Sequence, residues 1–262
     1  MPFLLHPRPT GPAQRMLVNF YDPEIQGPDS QGRTLDMIIK WSDWDLETKH
    51  DYIQWLFPLP EESNFNDEAP TVDEETMLYF RQNEELKKGL KVAFIRMLWF
   101  YGFEADYLSN VRGEGEAEAE EAEGLETLRI QPKGRDIGYF SRWLSDSDHN
   151  HMRISRIIRS LRVFGMHTEA ATFYFALLDT KRDFKLLVGE QSLSYWNRAF
   201  ENPLFVAPDS TVVSWLRAHA GPPWDDQLEE SNSPRSDEAQ TGLENDHEDD
   251  HGGCIIVVPL TH

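Results

Sequence analysis

Cysteine is nearly absent from the chain: Cys254 is the one thiol in 262 residues. A disulfide framework within the chain is thereby excluded, and a cysteine-based zinc site would lack its usual partners. Long apolar runs are missing too. The N-terminal MPFLL is broken by His6, Pro7 and Arg8 and is too short for a secretion signal. No stretch approaches the ~20 apolar residues that span a bilayer, so the chain reads as soluble and intracellular. Basic charge is scarce: 25 Lys and Arg against 46 Asp and Glu give a formal charge of −21.

Catalytic signatures are also lacking. No HExxH, phosphate-binding loop, dinucleotide glycine pattern or GxSxG occurs, and the single cysteine sits in a tail ill suited to build a pocket. His149 and His151 stand about 200° apart around a helix and cannot share a metal ion. His247, His251 and Cys254 lie in an acidic tail, where loose, incidental metal affinity is the expectation. The expectation is therefore a non-catalytic protein with no cofactor and no metal.

Large apolar side chains are plentiful: 15 Phe, 8 Trp and 8 Tyr suffice for a real core. The acid is concentrated. Residues 114–126, EGEAEAEEAEGLE, hold seven glutamates and no base, and residues 225–251 carry a net −10, which leaves −4 of the −21 for everything else. High charge with little β-branched or aromatic content predicts that both segments are disordered. The end, CIIVVPLTH, holds an uncharged β-prone run, read as an added strand, a partner-binding tail or a poorly behaved end.

Elsewhere the signals are helical. LDMIIKW (35–41) and DLETKHDYIQWLF (45–57) read as amphipathic helices, the second stopped by Pro58. Thr71 and Glu74 suggest a capping box, and Asn83 an N-cap before an acidic first turn. From Val92 to Tyr101 only Arg96 is polar, which predicts a central helix surrounded by others and stopped at Gly102. Further helices are expected at 138–144, 169–180 and 193–200. The reading is an all-α fold: a flexible N-terminus at 1–14, one helical-bundle domain at 15–218 with an acidic insertion at 113–126, and a disordered acidic tail at 219–262.

HNHMRISRIIRSLRVFG (149–165) is the basic exception. Ile154, Ile157, Ile158 and Leu161 define a buried face. Arg153, Arg156, Arg159 and Arg162 fan across the opposite half, where all four are expected to be solvated. Residues 129–185 carry 11 bases against 6 acids. Three readings stand: an ordinary solvated face, an anion-binding face for phosphate, nucleic acid or an acidic peptide, or a dock for the chain's own acidic segments.

HDYIQWLFPLPEESNFN (50–66), FIRMLWFYGF (94–103) and the arginine stretch, in that order and spacing, resemble the conserved N-terminal domain of the opioid growth factor receptor family, over roughly residues 17–205. The resemblance implies a helical domain whose animal members are receptors for the pentapeptide Met-enkephalin, associated with the nucleus, at most peripheral to its membrane, and engaged in restraining growth. It implies a peptide or protein ligand, and a signalling role in nucleus or cytoplasm. Two departures stand out: the Glu-rich insertion, and a C-terminal tail without the internal repeats of animal members. A zwitterionic aromatic peptide needs a carboxylate, a cation and an aromatic-lined groove. Tyr52, Trp55 and Phe57 are the candidates for such a groove, core packing being the other reading. The alternative function is a nucleic-acid or phosphate binder on the arginine helix, held back by the acidic tail.

Overall fold

The computed structural model describes residues 6–63, 66, 68–109, 126–185, 188–219 and 254–255. Helices α1 (Pro12–Tyr21), α2 (Leu35–Ile39), α3 (Asp43–Thr48), α4 (Ile53–Leu56), α5 (Glu74–Gln82) and α6 (Glu84–Phe100) come first. A hairpin follows, β1 (Phe103–Ser109) and β2 (Glu126–Pro132), then α7 (Asn150–Val163), α8 (His167–Phe184) and α9 (Glu190–Glu201). Strand β3 (Cys254–Ile255) closes the set, and 3₁₀ turns lie at Ile137–Phe140 and Ser214–His219.

Local chemistry sets most boundaries. Thr34 and Ser42 cap α2 and α3 through their hydroxyls, and Asn83 accepts from the amides of Glu85 and Leu86 at the start of α6. Gly102, at φ +92°, follows the end of α6. The cap of α5 is Asp73, which accepts from the Thr76 amide, and not Thr71. Helix α1 begins with Pro12 at its first position, inside the stretch expected as a flexible N-terminus. The helix expected over 45–57 breaks after Thr48. There the freed carbonyls of Leu46 and Lys49 take donors from Arg153 at 2.9 and 2.8 Å.

The fold is mostly helical but not all-α. β1 and β2 pair antiparallel through seven residues, from Phe103↔Pro132 to Ser109↔Glu126, and β3 adds to the far side of β2. Phe103, Leu128 and Ile130 are buried while Asp106 faces solvent, the alternation that a half-buried hairpin needs. No short turn announces it, because the Glu-rich segment stands between the strands. Glu126, expected in the insertion, already belongs to β2. The rest of that insertion and most of the acidic tail lie outside the described residues.

The two most distinctive helices exchange the places expected of them. The arginine helix α7 is the enclosed one, packed between α8 and α9, with Met152 exposed (49%) on an otherwise covered surface. The apolar helix α6 lies at the surface, and Val92, Ile95 and Trp99 stay 44%, 37% and 50% exposed along one face.

Candidate functional site

The solvated arginine face is not found: Arg153, Arg159 and Arg162 are buried and Arg156 is partly so. Each guanidinium reaches the carbonyls at the end of another segment. Arg153 donates to Leu46 and Lys49 where α3 ends, and Arg156 to Phe57 where α4 ends (3.1 Å). Arg159 pairs with Glu61 and donates to Leu204 at 3.1 Å, while Arg162 holds Ala199 and Asn202 at the end of α9 at 2.7 and 2.8 Å.

Two arginines on other helices act alike. Arg81 donates to Val163 at the end of α7, and Arg96 to Ile39 and Trp41 after α2. A helix leaves its last four carbonyls unpaired, and a guanidinium supplies five donors in a fixed fork. Helical periodicity alone cannot see this, because a long side chain can turn inward from a flank. Burial, with Arg159 adjacent, pushes Arg162 down to about 9; burial likewise takes Arg156 to about 10, partly opposed by Glu61. These groups hold the fold together and do not form an exposed surface for anions.

Tyr52, Trp55 and Phe57 are wholly buried, so the groove expected from them is not lined by them. Trp55 lies one layer beneath a different one. Between the end of α1, helix α2 and the first half of α6 is an open groove of 270 Å³. Its floor is Phe20, Tyr21, Leu35, Ile39, Gly89 and Val92. The Phe20 ring packs 5.6 Å from that of Trp55, and the Tyr21 hydroxyl donates to the Trp55 carbonyl at 3.1 Å. Trp55 and the Leu56 carbonyl, which also accepts from the Tyr21 hydroxyl, thus buttress the floor from below.

Gly89 explains how the floor closes. A Cβ there would stand 3.1 Å from Cδ1 of Tyr21 and 3.4 Å from Cδ2 of Leu35. Helix α6 accepts the ~1 kcal/mol propensity cost of a mid-helix glycine, and α1 and α2 approach it closely in return. The rim is charged, with Asp22, Asp36, Glu85 and Lys88. Each carboxylate has a partner at its side, Asp22 with Arg8 (3.2 Å), Asp36 with Lys40 (2.5 Å) and Glu85 with Lys88 (2.7 Å). Such exposed pairs contribute only ~0–1 kcal/mol, so an incoming amine can replace one at small cost. The apolar surface continues out of the groove along Val92, Ile95 and Trp99, whose ring lies 3.3 Å from the Lys133 ammonium.

Sequence reasoning passed over these residues. Two signals pointed to them: a glycine inside a strong helix, and an apolar run too wide for one buried face. No group of three or more His, Cys, Asp or Glu among the described residues is placed to hold a metal ion. No helix among them is long and apolar enough to cross a membrane.

The family model described as "Opioid growth factor receptor (OGFr) conserved region" matches residues 11–124. Every residue that lines the groove falls inside that span. Among similar proteins, the opioid growth factor receptor of Rattus norvegicus is 31% identical over 183 residues, 68% of this chain and 28% of that protein. The Homo sapiens receptor is 32% identical over 168 residues, 62% and 22% of the two chains. Opioid growth factor receptor-like protein 1 of Xenopus tropicalis is 32% identical over 132 residues, 50% and 22%. The chain thus matches less than a third of the length of these relatives, and no solved structure matches it. With its conserved region matched by the family model, and relatives of that name aligned over two thirds of its length, this chain belongs to the opioid growth factor receptor family.

Proposed function

We propose that this protein is a non-catalytic binding module whose α1–α2–α6 groove takes an aromatic or aliphatic anchor of a short peptide or protein segment. The carrying observation is the groove itself: an apolar floor, a carboxylate-rich rim, and a position wholly within the conserved region. A volume of 270 Å³ is below the ~300–1,000 Å³ of sites that enclose a whole small molecule. It suits one or two anchor side chains of a longer ligand that continues over Ile95 and Trp99. The acidic rim suits a cationic group beside the anchor, such as a peptide's N-terminal amine. Met-enkephalin, the ligand the family likeness suggests, has aromatic side chains and such an amine. A signalling role in nucleus or cytoplasm belongs to the same proposal.

The test is a calorimetric titration of Met-enkephalin into the full-length protein at physiological salt, repeated with Val92→Arg. Stoichiometric binding that the exposed Val92 change weakens tenfold or more supports the groove. A flat trace with folded protein removes that peptide and leaves protein segments as the ligand class. Binding that Val92→Arg leaves untouched puts the site elsewhere.

A further inference from the structure

Strand β2 meets, on its outer edge, a strand from the far end of the chain. Among the described residues that ladder has two pairs: Arg129 with Ile255 and Ile130 with Cys254, antiparallel. On its other edge β2 pairs with β1 through all seven residues, with no bulge in the register. Five of the seven β2 positions therefore have no β3 partner among the described residues. Proline is absent from β2 before Pro132, so two usual guards of a free edge, a bulge and an internal proline, are both missing. Helix α8 packs against β2 and β3 alike. A strand on this edge is thus met by a backbone ladder on one side and a helix on another.

The segment that supplies β3, CIIVV, is uncharged and β-branched. It joins the domain through 34 residues, 220–253, rich in acid. A strand closed across a connection of that length has a modest effective concentration to hold it, which falls as a tether lengthens. Among the described residues the occupant thus covers two of the seven edge positions, and it reaches them through a long connection.

We propose that the outer edge of β2 is a strand-accepting site for an extended, uncharged, β-branched segment of a protein partner, and that the chain's own Cys254–Ile255 strand fills it meanwhile. Backbone hydrogen bonds give such a site its affinity, and alternate side chains its selectivity. It is separate from the α1–α2–α6 groove, and neither proposal rests on the other.

The probe is a fluorescein-labelled peptide, GSIIVVPL, with anisotropy read on the full chain and on the full chain carrying Ile255→Pro and Val257→Pro. Tenfold or tighter binding to the variant, together with amide shifts confined to residues 126–131 and loss of binding when the peptide carries the same two prolines, is the expected result. Equal binding by both chains, or shifts outside β2, overturns the proposal. So does a dimer of the unaltered chain that Ile255→Pro abolishes, since the edge then takes the strand of a second copy. Circular dichroism checks that the variant is folded; Ile255→Asp, which adds a charge and no kink, gives a second reading should the prolines disturb it.

Discussion

Arg159 and Glu61 form a buried ion pair whose members cannot be removed singly without cost. Arg159 is 1% exposed and Glu61 sits against it. Arg159→Met leaves a buried carboxylate alone and is expected to cost ~3–5 kcal/mol. Adding Glu61→Gln should recover at least half of that, as read from urea unfolding of the single and double variants. If the double variant recovers nothing, the bond from Arg159 to the Leu204 carbonyl carries the stability instead. His167 supplies a pH dependence. Burial, with Arg162 and Arg81 adding to it, pushes its imidazole down from 6.5 to about 4. The unfolded chain binds that proton near pH 6.5 and the folded chain only near pH 4, so stability falls as pH drops through this window. Protein atoms crowd the imidazole, yet the residue keeps part of its surface in solvent, and screening keeps the loss below the full value of the shift. His167→Gln should flatten the fall of Tm between pH 6.5 and 4; an unchanged slope rejects the assignment. At this scale the cap at Asn83 and the stop at Gly102 are legible from sequence because they act on their own backbone, whereas the α5 cap falls on Asp73 two residues past the expected Thr71. The direction of an arginine is not legible, since its partner lies ~100 residues away.

Helices and strands were readable where the pattern was local and long. The helices at 169–180 and 193–200 emerge within α8 and α9, and the central run of Leu and Phe within α6. The hairpin was hidden because strands of seven residues are separated by the Glu-rich stretch, whose composition reads as an insertion. The groove was hidden for another reason: it depends on how α1 and α2 settle against Gly89, which no single element encodes. One prediction belongs here. Residues 110–125 join Ser109 to Glu126, which already face each other in register. Replacing them with Asn-Gly suits a two-residue hairpin turn, and loop closure over roughly three fewer doublings of length should stabilise the protein by ~1–2 kcal/mol. Urea unfolding measures it. A destabilised or unfolded product would mean that the acidic connection makes contacts of its own.

The whole molecule combines a nearly neutral folded body with acid gathered into two segments. The basic helix that suggested an anion-binding face turns inward, so polyanion affinity should be absent. Titration of heparin or duplex DNA into the full chain at physiological salt should give no saturable binding. Arg153→Gln should change stability and not affinity: losing a guanidinium with two carbonyl partners costs ~1–3 kcal/mol, a drop of several degrees in Tm. Saturable binding that Arg153→Gln weakens would restore the anion-binding face.

The same inward arginines have a consequence for the order in which the chain is made. Arg153, Arg156 and Arg159 serve carbonyls and a carboxylate about 100 positions earlier, at Leu46, Lys49, Phe57 and Glu61. During synthesis at ~5–20 residues per second, the first third of the domain therefore waits roughly 5–20 s outside the ribosome with its helix ends open. Arg162 in turn waits for α9. The nascent N-terminal half is thus expected to engage chaperones, and a ribosome stalled between residues 110 and 150 should display a protease-sensitive fragment that becomes resistant only once α7 and α9 have emerged.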